Sequence, residues 1–347
     1  VSEHKVGDDK VAVAPSDETA RVEKASAAAA PRRSGLLSGP AGRNLGLVVA
    51  LLLLCVVGFA TGGERFASVS NLMTILSLGA VLGVVSIGMT FVITTGGIDL
   101  SVGSVLGLAS VWATTLATQS YGWAVMVICA LAVGVGAGLI NGLIIAYGKV
   151  VAFIATLAML VAARGLAELI AQKRTQVVKD SAFLDLFKGN LLGVPKIVWI
   201  FAIVAVLGWF LLNRTTFGRR TVAVGGNPEA ARLAGIKVQR HLVYVYALSG
   251  LTAGIAAIMI LARTSAGSST NGTLLELDVI AAVVVGGTLL AGGRGTIVGT
   301  VLGVLIFTTL TNVFIINNID SSVQAIAKGV IIVGAVLLQQ RLARRTT

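Results

Sequence analysis

Residues 71–95 read NLMTILSLGAVLGVVSIGMTFVITT, twenty-five consecutive positions without an Asp, Glu, Lys or Arg. Wound as a helix they would extend about 37 Å, enough to cross the roughly 30 Å hydrocarbon core of a bilayer, whereas apolar runs in soluble cores stop at about 10–14 residues. On either side, comparable runs recur at 44–62, 101–118, 122–147, 151–171, 197–212, 243–262, 296–316 and 323–340, with a shorter one at 278–291. Composition agrees: 56% of the 347 residues are hydrophobic and 12% are charged, against about 25% charged in ordinary soluble domains. The fold expected is all-α, a polytopic transmembrane helical bundle of about ten membrane spans. The tail of the short run, Ala291-Gly292-Gly293-Arg294-Gly295, reads as a broken or re-entrant segment.

The net charge is +12, and the placement of the basic residues decides its meaning. With 5% aromatics and no interleaving of rings and cations, a nucleic-acid surface is not indicated. Lys and Arg gather in connections instead, as the positive-inside rule describes for cytoplasmic loops. Connection 213–241 carries Arg214, Arg219, Arg220, Arg232, Lys237 and Arg240, tail 341–347 carries Arg341, Arg344 and Arg345, and Arg32, Arg33 and Arg43 precede the first run. An even number of crossings then places both termini in the cytoplasm. Residues 1–43, rich in Ala, Ser, Pro and mixed charge, are expected as a disordered cytoplasmic tail, 44–340 as the transmembrane domain and 341–347 as a second cytoplasmic tail. Outer connection 172–196 runs against the rule, with Lys173, Arg174, Lys179, Lys188 and Lys196. Run 44–62 is longer than the apolar core of a secretory signal and counts as the first membrane helix. Cys55 and Cys129 both fall within apolar runs and offer neither a disulfide framework nor metal-ligand spacing. Gly134, Gly136, Gly138 and Gly142, and likewise Gly295, Gly299 and Gly303, recur at spacings that let helix backbones approach closely.

Within the basic connection stands GGNPEAARLAGI, residues 225–236. Asn227 is a favoured N-cap, Pro228 suits the first helical position, Glu229 complements the positive end of the helix dipole, and Gly235 suits a left-handed C-cap. A helix of two turns is unstable alone in water, so one specified at both ends gains its stability by docking, on its own protein or on a partner.

Glu229-Ala230-Ala231 followed by Gly235 resembles the EAA loop of ABC importer permeases. Further stretches are similar to the ribose/xylose/arabinose-type permeases: Gly88-Met89-Thr90 with Gly96 through Gly103 (GGIDLSVG), Phe153 through Leu157 with Ala163 through Leu166, Glu276 through Thr288, and Gly292 through Thr296. The resemblance covers roughly residues 45–340 and implies a permease in the bacterial cytoplasmic (inner) membrane, surrounded by membrane lipid. It implies three partners: an ATP-binding subunit, a periplasmic or lipid-anchored sugar-binding protein, and a second permease copy, identical or related. It also implies that Asn227, Pro228, Glu229, Ala230, Ala231 and Gly235 form the helix that couples to the ATPase. One departure is the connection Gly148-Lys149-Val150-Val151-Ala152, which lacks the family's proline.

No G-x4-G-K-[ST] loop occurs, so no cofactor is expected on this chain, and ATP and Mg belong to the partner. His4 and His241 make no zinc pair and no nucleophile–base set, so neither a metal site nor a catalytic residue is assigned. Charges within or beside spans are functional candidates: Asp99, Arg164, Glu168, Asp278, Arg294 and Lys328. Bland readings accompany them. Asp99 and Asp278 suit caps of following helices, Arg164 and Glu168 suit an i,i+4 pair, and Arg294 suits a tether of the Gly-rich bend to carbonyls or lipid phosphate. Candidates for a translocation path are Thr94, Thr95, Asp99, Asn141, Thr156 and Asn312, each of which also suits polar packing between helices.

Overall fold

The computed structural model describes residues 40–344. Most of the expected tail 1–43 and residues 345–347 of the second tail lie outside the described residues, while residues 40–43 already belong to the first helix. In chain order the first elements are α1 (Pro40–Gly62), α2 (Glu64–Ala67), α3 (Val69–Thr94), α4 (Val102–Ala113), α5 (Leu116–Gln119), α6 (Trp123–Ala146) and α7 (Ala152–Ala171). A small assembly of short elements follows: β1 (Gln176–Val177), α8 (Ser181–Phe187), β2 (Asn190–Leu191) and β3 (Val194–Pro195). Then come α9 (Lys196–Arg214), α10 (Thr216–Gly226), α11 (Pro228–Leu233), α12 (Val238–Thr264), β4 (Ala266–Gly267), α13 (Leu275–Val285), α14 (Ile297–Ile316) and α15 (Ser321–Arg344).

Seven of these helices are long and apolar enough to cross a membrane: α1 from Asn44 on, α3, α6, α7, α9, α12 and α14. The expected run 323–340 lies within the 24-residue α15. Two expected spans are not full-length helices. In place of 101–118 stands α4, whose 12 residues cover only about 18 Å. Thr114 and Thr115 end it: the Thr114 hydroxyl donates back to the Ser110 carbonyl at 2.8 Å, and the Thr115 hydroxyl accepts the Thr118 N–H at 3.1 Å to start α5. In place of 278–291 stands α13, 11 residues that start earlier and stop at Gly286, beyond which Gly287, Gly292 and Gly293 take φ of +91°, +85° and +74°. The all-α expectation omitted two short antiparallel pairs, β1 with β4 and β2 with β3. They fold connection 172–196 into this small assembly, in which the Asp180 carboxylate caps α8 by accepting the Phe183 N–H at 2.8 Å.

The core is built on α3 and α12, whose most apolar windows are 83% and 78% buried, against 6% for α1. Helix α6 crosses α12 antiparallel at backbone contact. A Cβ on Gly134, Gly138 or Gly142 would overlap the backbone at Gly250, Tyr246 or Val243, whereas Gly136 faces open space. Small residues therefore act here as the packing rule for membrane helices requires, at three of the four expected positions. Gly299 and Gly303 of α14 meet the carbonyls of Gly286 and Ala282 in the same way. From Ser265 (φ +55°) to Leu274 (φ +61°) the chain leaves helical form and runs beside α4, with the Asn271 amide donating to the Ser110 hydroxyl at 3.1 Å.

Candidate functional site

Helix α11 has both ends specified by the residues that the sequence singled out. The Asn227 side-chain oxygen accepts the Ala230 N–H at 3.0 Å, and Pro228 occupies the first turn. At the other end Gly235 takes φ +83°, and the Ile236 N–H returns to the Ala231 carbonyl at 3.0 Å. Glu229 and Arg232 pair at 2.5 Å on the exposed surface. This hydrogen bond and the nearby guanidinium hold the Glu229 carboxyl below its ordinary value and raise the Arg232 guanidinium. Ala231 is the buried foot of the helix, whereas Leu233 is 76% exposed. The helix thus rests on the chain through Ala231 and leaves a carboxylate and a leucine uncovered.

The helix preceding it is held by side chains, with the Thr221 hydroxyl 2.9 Å from His241 Nε2 and the Phe217 ring against Phe91 and His241, and at its end by backbone contact. At the end of α10, a Cβ on Gly225 would overlap the Thr94 carbonyl and crowd the Gly293 N–H, and one on Gly292 would meet the Gly225 carbonyl and Gly96. The Gly293 N–H donates to the Thr94 carbonyl at 2.9 Å. Three glycine-bearing turns, following α3, α10 and α13, thus meet next to α11. Thr94 and Thr95 belong to this junction: their hydroxyls donate to the carbonyls of Thr90 at 2.5 Å and Val92 at 2.7 Å, and both side chains are buried.

The other path candidates fall into two separate places. Asp99, Asn141 and Thr156 converge where α3 gives way to α4. The Asp99 carboxylate accepts the Ser101 N–H at 3.0 Å, the Ser101 hydroxyl at 2.6 Å and the Ser249 hydroxyl at 2.8 Å. Asn141 donates to Ser101 Oγ at 2.9 Å, and the Thr156 hydroxyl donates to the Ile98 carbonyl at 3.2 Å. Asp99 therefore ties α12 to the turn before α4 rather than capping the helix itself, whose N-cap is Ser101. Asn312 stands apart, in a reciprocal amide pair with Asn71 at 2.7 and 3.0 Å.

Two charged residues, Arg164 and Asp278, are engaged otherwise than expected. Arg164 does not pair with Glu168; its guanidinium donates to the carbonyls of Ser269 and Asn271 and so holds the non-helical segment before α13. Asp278 does not act as a cap but pairs with Lys328 of α15 at 2.8 Å. Arg294 is exposed, and it is the backbone of the Gly-rich bend that is bonded, through the Leu289 N–H to the Arg294 carbonyl at 3.0 Å. Sequence reasoning missed Ser249, Tyr246 and Asn71. Ser249 and Asn71 are recognisable only by partners 150 and 241 positions away, while the Tyr246 hydroxyl is buried and unpartnered.

Comparison with known proteins bears on what this arrangement serves. The family model for the branched-chain amino acid transport system / permease component matches residues 71–338. The ribose import permease protein RbsC of Escherichia coli (strain K12) is 42% identical over 299 residues, covering 85% of this chain and 92% of that protein. RbsC of Bacillus subtilis (strain 168) is 39% identical over 302 residues, covering 86% and 92%. The L-arabinose transport system permease protein AraH of E. coli (strain K12) is 35% identical over 310 residues, covering 86% and 91%. No solved structure matches the chain significantly. The chain belongs to this permease family, and within it to the ribose/xylose/arabinose-type permease subunits of ABC sugar importers, multi-pass proteins of the inner membrane.

Proposed function

We propose that this chain is the membrane-spanning permease subunit of an ATP-driven importer of a monosaccharide, ribose-like or related, and that α11 couples it to the ATPase. The observation that carries the reading is the capped, outward-facing α11 with Glu229 and Leu233 uncovered, one glycine-packed turn from the ends of α3 and α13. In this reading an ATP-binding subunit, which holds ATP and Mg, seats α11. A periplasmic or lipid-anchored sugar-binding protein delivers the sugar at the opposite end, and a second permease copy completes the path. Movement of the docked helix on ATP binding changes the contacts of the glycine junction, and so biases two discrete arrangements of the bundle.

The count of about ten spans also belongs to this reading. Alternating direction along α1, α3, α4, α6, α7, α9, α12, the segment through α13, α14 and α15 gives ten traversals, two of them built from half-length helices. Such broken segments are tolerated where they line a cavity or are buried in protein. An even number keeps both termini on the side of α11, which is cytoplasmic by the excess of Lys and Arg in 213–241.

The test is sugar uptake by Glu229→Ala combined with Gly235→Val. The pair should abolish uptake while the protein still reaches the membrane folded; wild-type uptake would remove the coupling role from α11.

A further inference from the structure

A cavity of about 240 Å³ opens at the end of the bundle away from α11. It lies between α3, α12, α14, α15 and the non-helical segment before α13, and Arg263, Asp278, Phe307, Thr308, Thr311 and Lys328 are among its lining residues. Backbone without helical bonding is tolerated at membrane depth where it is buried in protein or lines a cavity, and here Gly272 and Thr273 form part of the wall. A volume of this size has room for one small solute on the scale of a monosaccharide.

The lining is chemically mixed in a way that selects its occupant. Lys328 and Asp278 pair, yet their side chains remain 20% and 29% exposed, so both are reachable. Arg263 makes no ion pair among the described residues and brings further donors. The Thr308 and Thr311 hydroxyl protons are taken by the carbonyls of Val304 and Phe307, each at 2.9 Å, which leaves their oxygen lone pairs as acceptors. Leu78, Leu82 and Phe307 supply apolar walls. Donors and acceptors set against an apolar face match a polyol: the Asp278–Lys328 pair is charge-balanced, and the Arg263 guanidinium can donate to sugar hydroxyls. Beyond the cavity, towards α11, the Thr90 and Thr300 hydroxyls meet at 2.8 Å and the glycine junction closes the way.

We infer that this cavity is a sugar subsite of the permease itself, which holds one neutral monosaccharide through Asp278, Lys328, Arg263, Thr308 and Thr311 before the inner barrier opens. The inference rests on the sugar-permease reading and adds a binding site within the membrane domain.

The test uses the assembled importer in lipid vesicles, with Cys55→Ala and Cys129→Ala as background and Thr273→Cys, in the cavity wall but not among the five holding residues, as reporter, labelled by a small methanethiosulfonate. Free pentoses and hexoses, ribose and L-arabinose among them, are the probes, with inorganic phosphate and anionic lipid as controls. A bound sugar at ten times its Kd slows labelling about tenfold, the controls do not, and adding Asp278→Asn removes the protection. Leu78→Cys, also in the wall, serves as a second reporter. Unchanged labelling with every sugar at both reporters, or protection by anionic lipid instead, overturns the subsite. ATP hydrolysis stimulated by the binding protein is read in the same vesicles. Stimulation without protection defeats the subsite alone, whereas absent stimulation defeats the importer reading.

Discussion

At Gly225 there is no room for a side chain: the Thr94 carbonyl and the Gly293 N–H already occupy the place of a Cβ. Gly225→Val must push α10 away from the end of α3, and with it the base of α11. The variant should bind the ATPase subunit yet lose sugar uptake, a split read by co-purification and transport on one preparation; joint retention of both would remove the junction from the coupling route. Asn227 supplies a cap of about 1 kcal/mol, so Asn227→Ala should speed amide exchange at Ala230 about fivefold by mass spectrometry. Glu229 titrates below its ordinary value of 4.5 because Arg232 holds its charged form. Whatever this pair adds to α11 is present above the unfolded value and is lost as pH falls through the lowered one. Docking of the ATPase subunit should therefore show no titration by Glu229 between about pH 5 and 8, and a Glu229-dependent midpoint in that window would contradict the assignment. The caps at Asn227 and Gly235 were legible in the sequence because capping is local, whereas the Glu229–Arg232 pair and the packing of Gly225 were not read from it. The Asp99 tie to Ser249 and the Arg164 hold on two distant carbonyls were not, because their partners lie 150, 105 and 107 positions away.

Helices α6 and α12 meet along glycines, so their interface tolerates no added volume. Gly138→Leu would drive a side chain into the Tyr246 carbonyl, and overpacking of this kind costs about 1–3 kcal/mol. The expected outcome is a lower thermal unfolding midpoint in detergent, while Gly136→Leu, which faces open space, leaves the midpoint near wild type. The glycine spacing was readable as a packing signal, but which glycine faced which helix was not, since α12 presents a mixed surface of Val243, Tyr246, Gly250 and Gly254 at the contact. The full-length spans were also readable from apolar run length. The half-length α4 was not resolved, because an apolar run continues through a turn as readily as through a helix, whereas the short run 278–291 with its Gly-rich tail already read as a broken segment. The bends are set by Thr114 and Thr115 in one case and by Gly286 and Gly287 in the other.

Across the whole molecule, two helices form a buried centre, two half-length helices stand beside it, and a glycine junction joins the turn after α3 and the Gly-rich bend after α13 to the base of α11. The mixed-charge cavity lies on the far side of that junction, so a displacement of α11 and an occupant of the cavity would act on the same packed elements. Family and membrane character were plain from motifs and composition, while the placement of the polar residues in separate clusters required the tertiary contacts. The most direct measurement is gentle-detergent isolation of the chain from its native membrane, identification of co-purifying proteins, and assay of ATP hydrolysis with the sugar-binding protein added. The account predicts recovery of an ATP-binding subunit whose activity rises on that addition. Recovery of the chain alone, inert to ATP yet transporting sugar after reconstitution with an ion gradient, would contradict it.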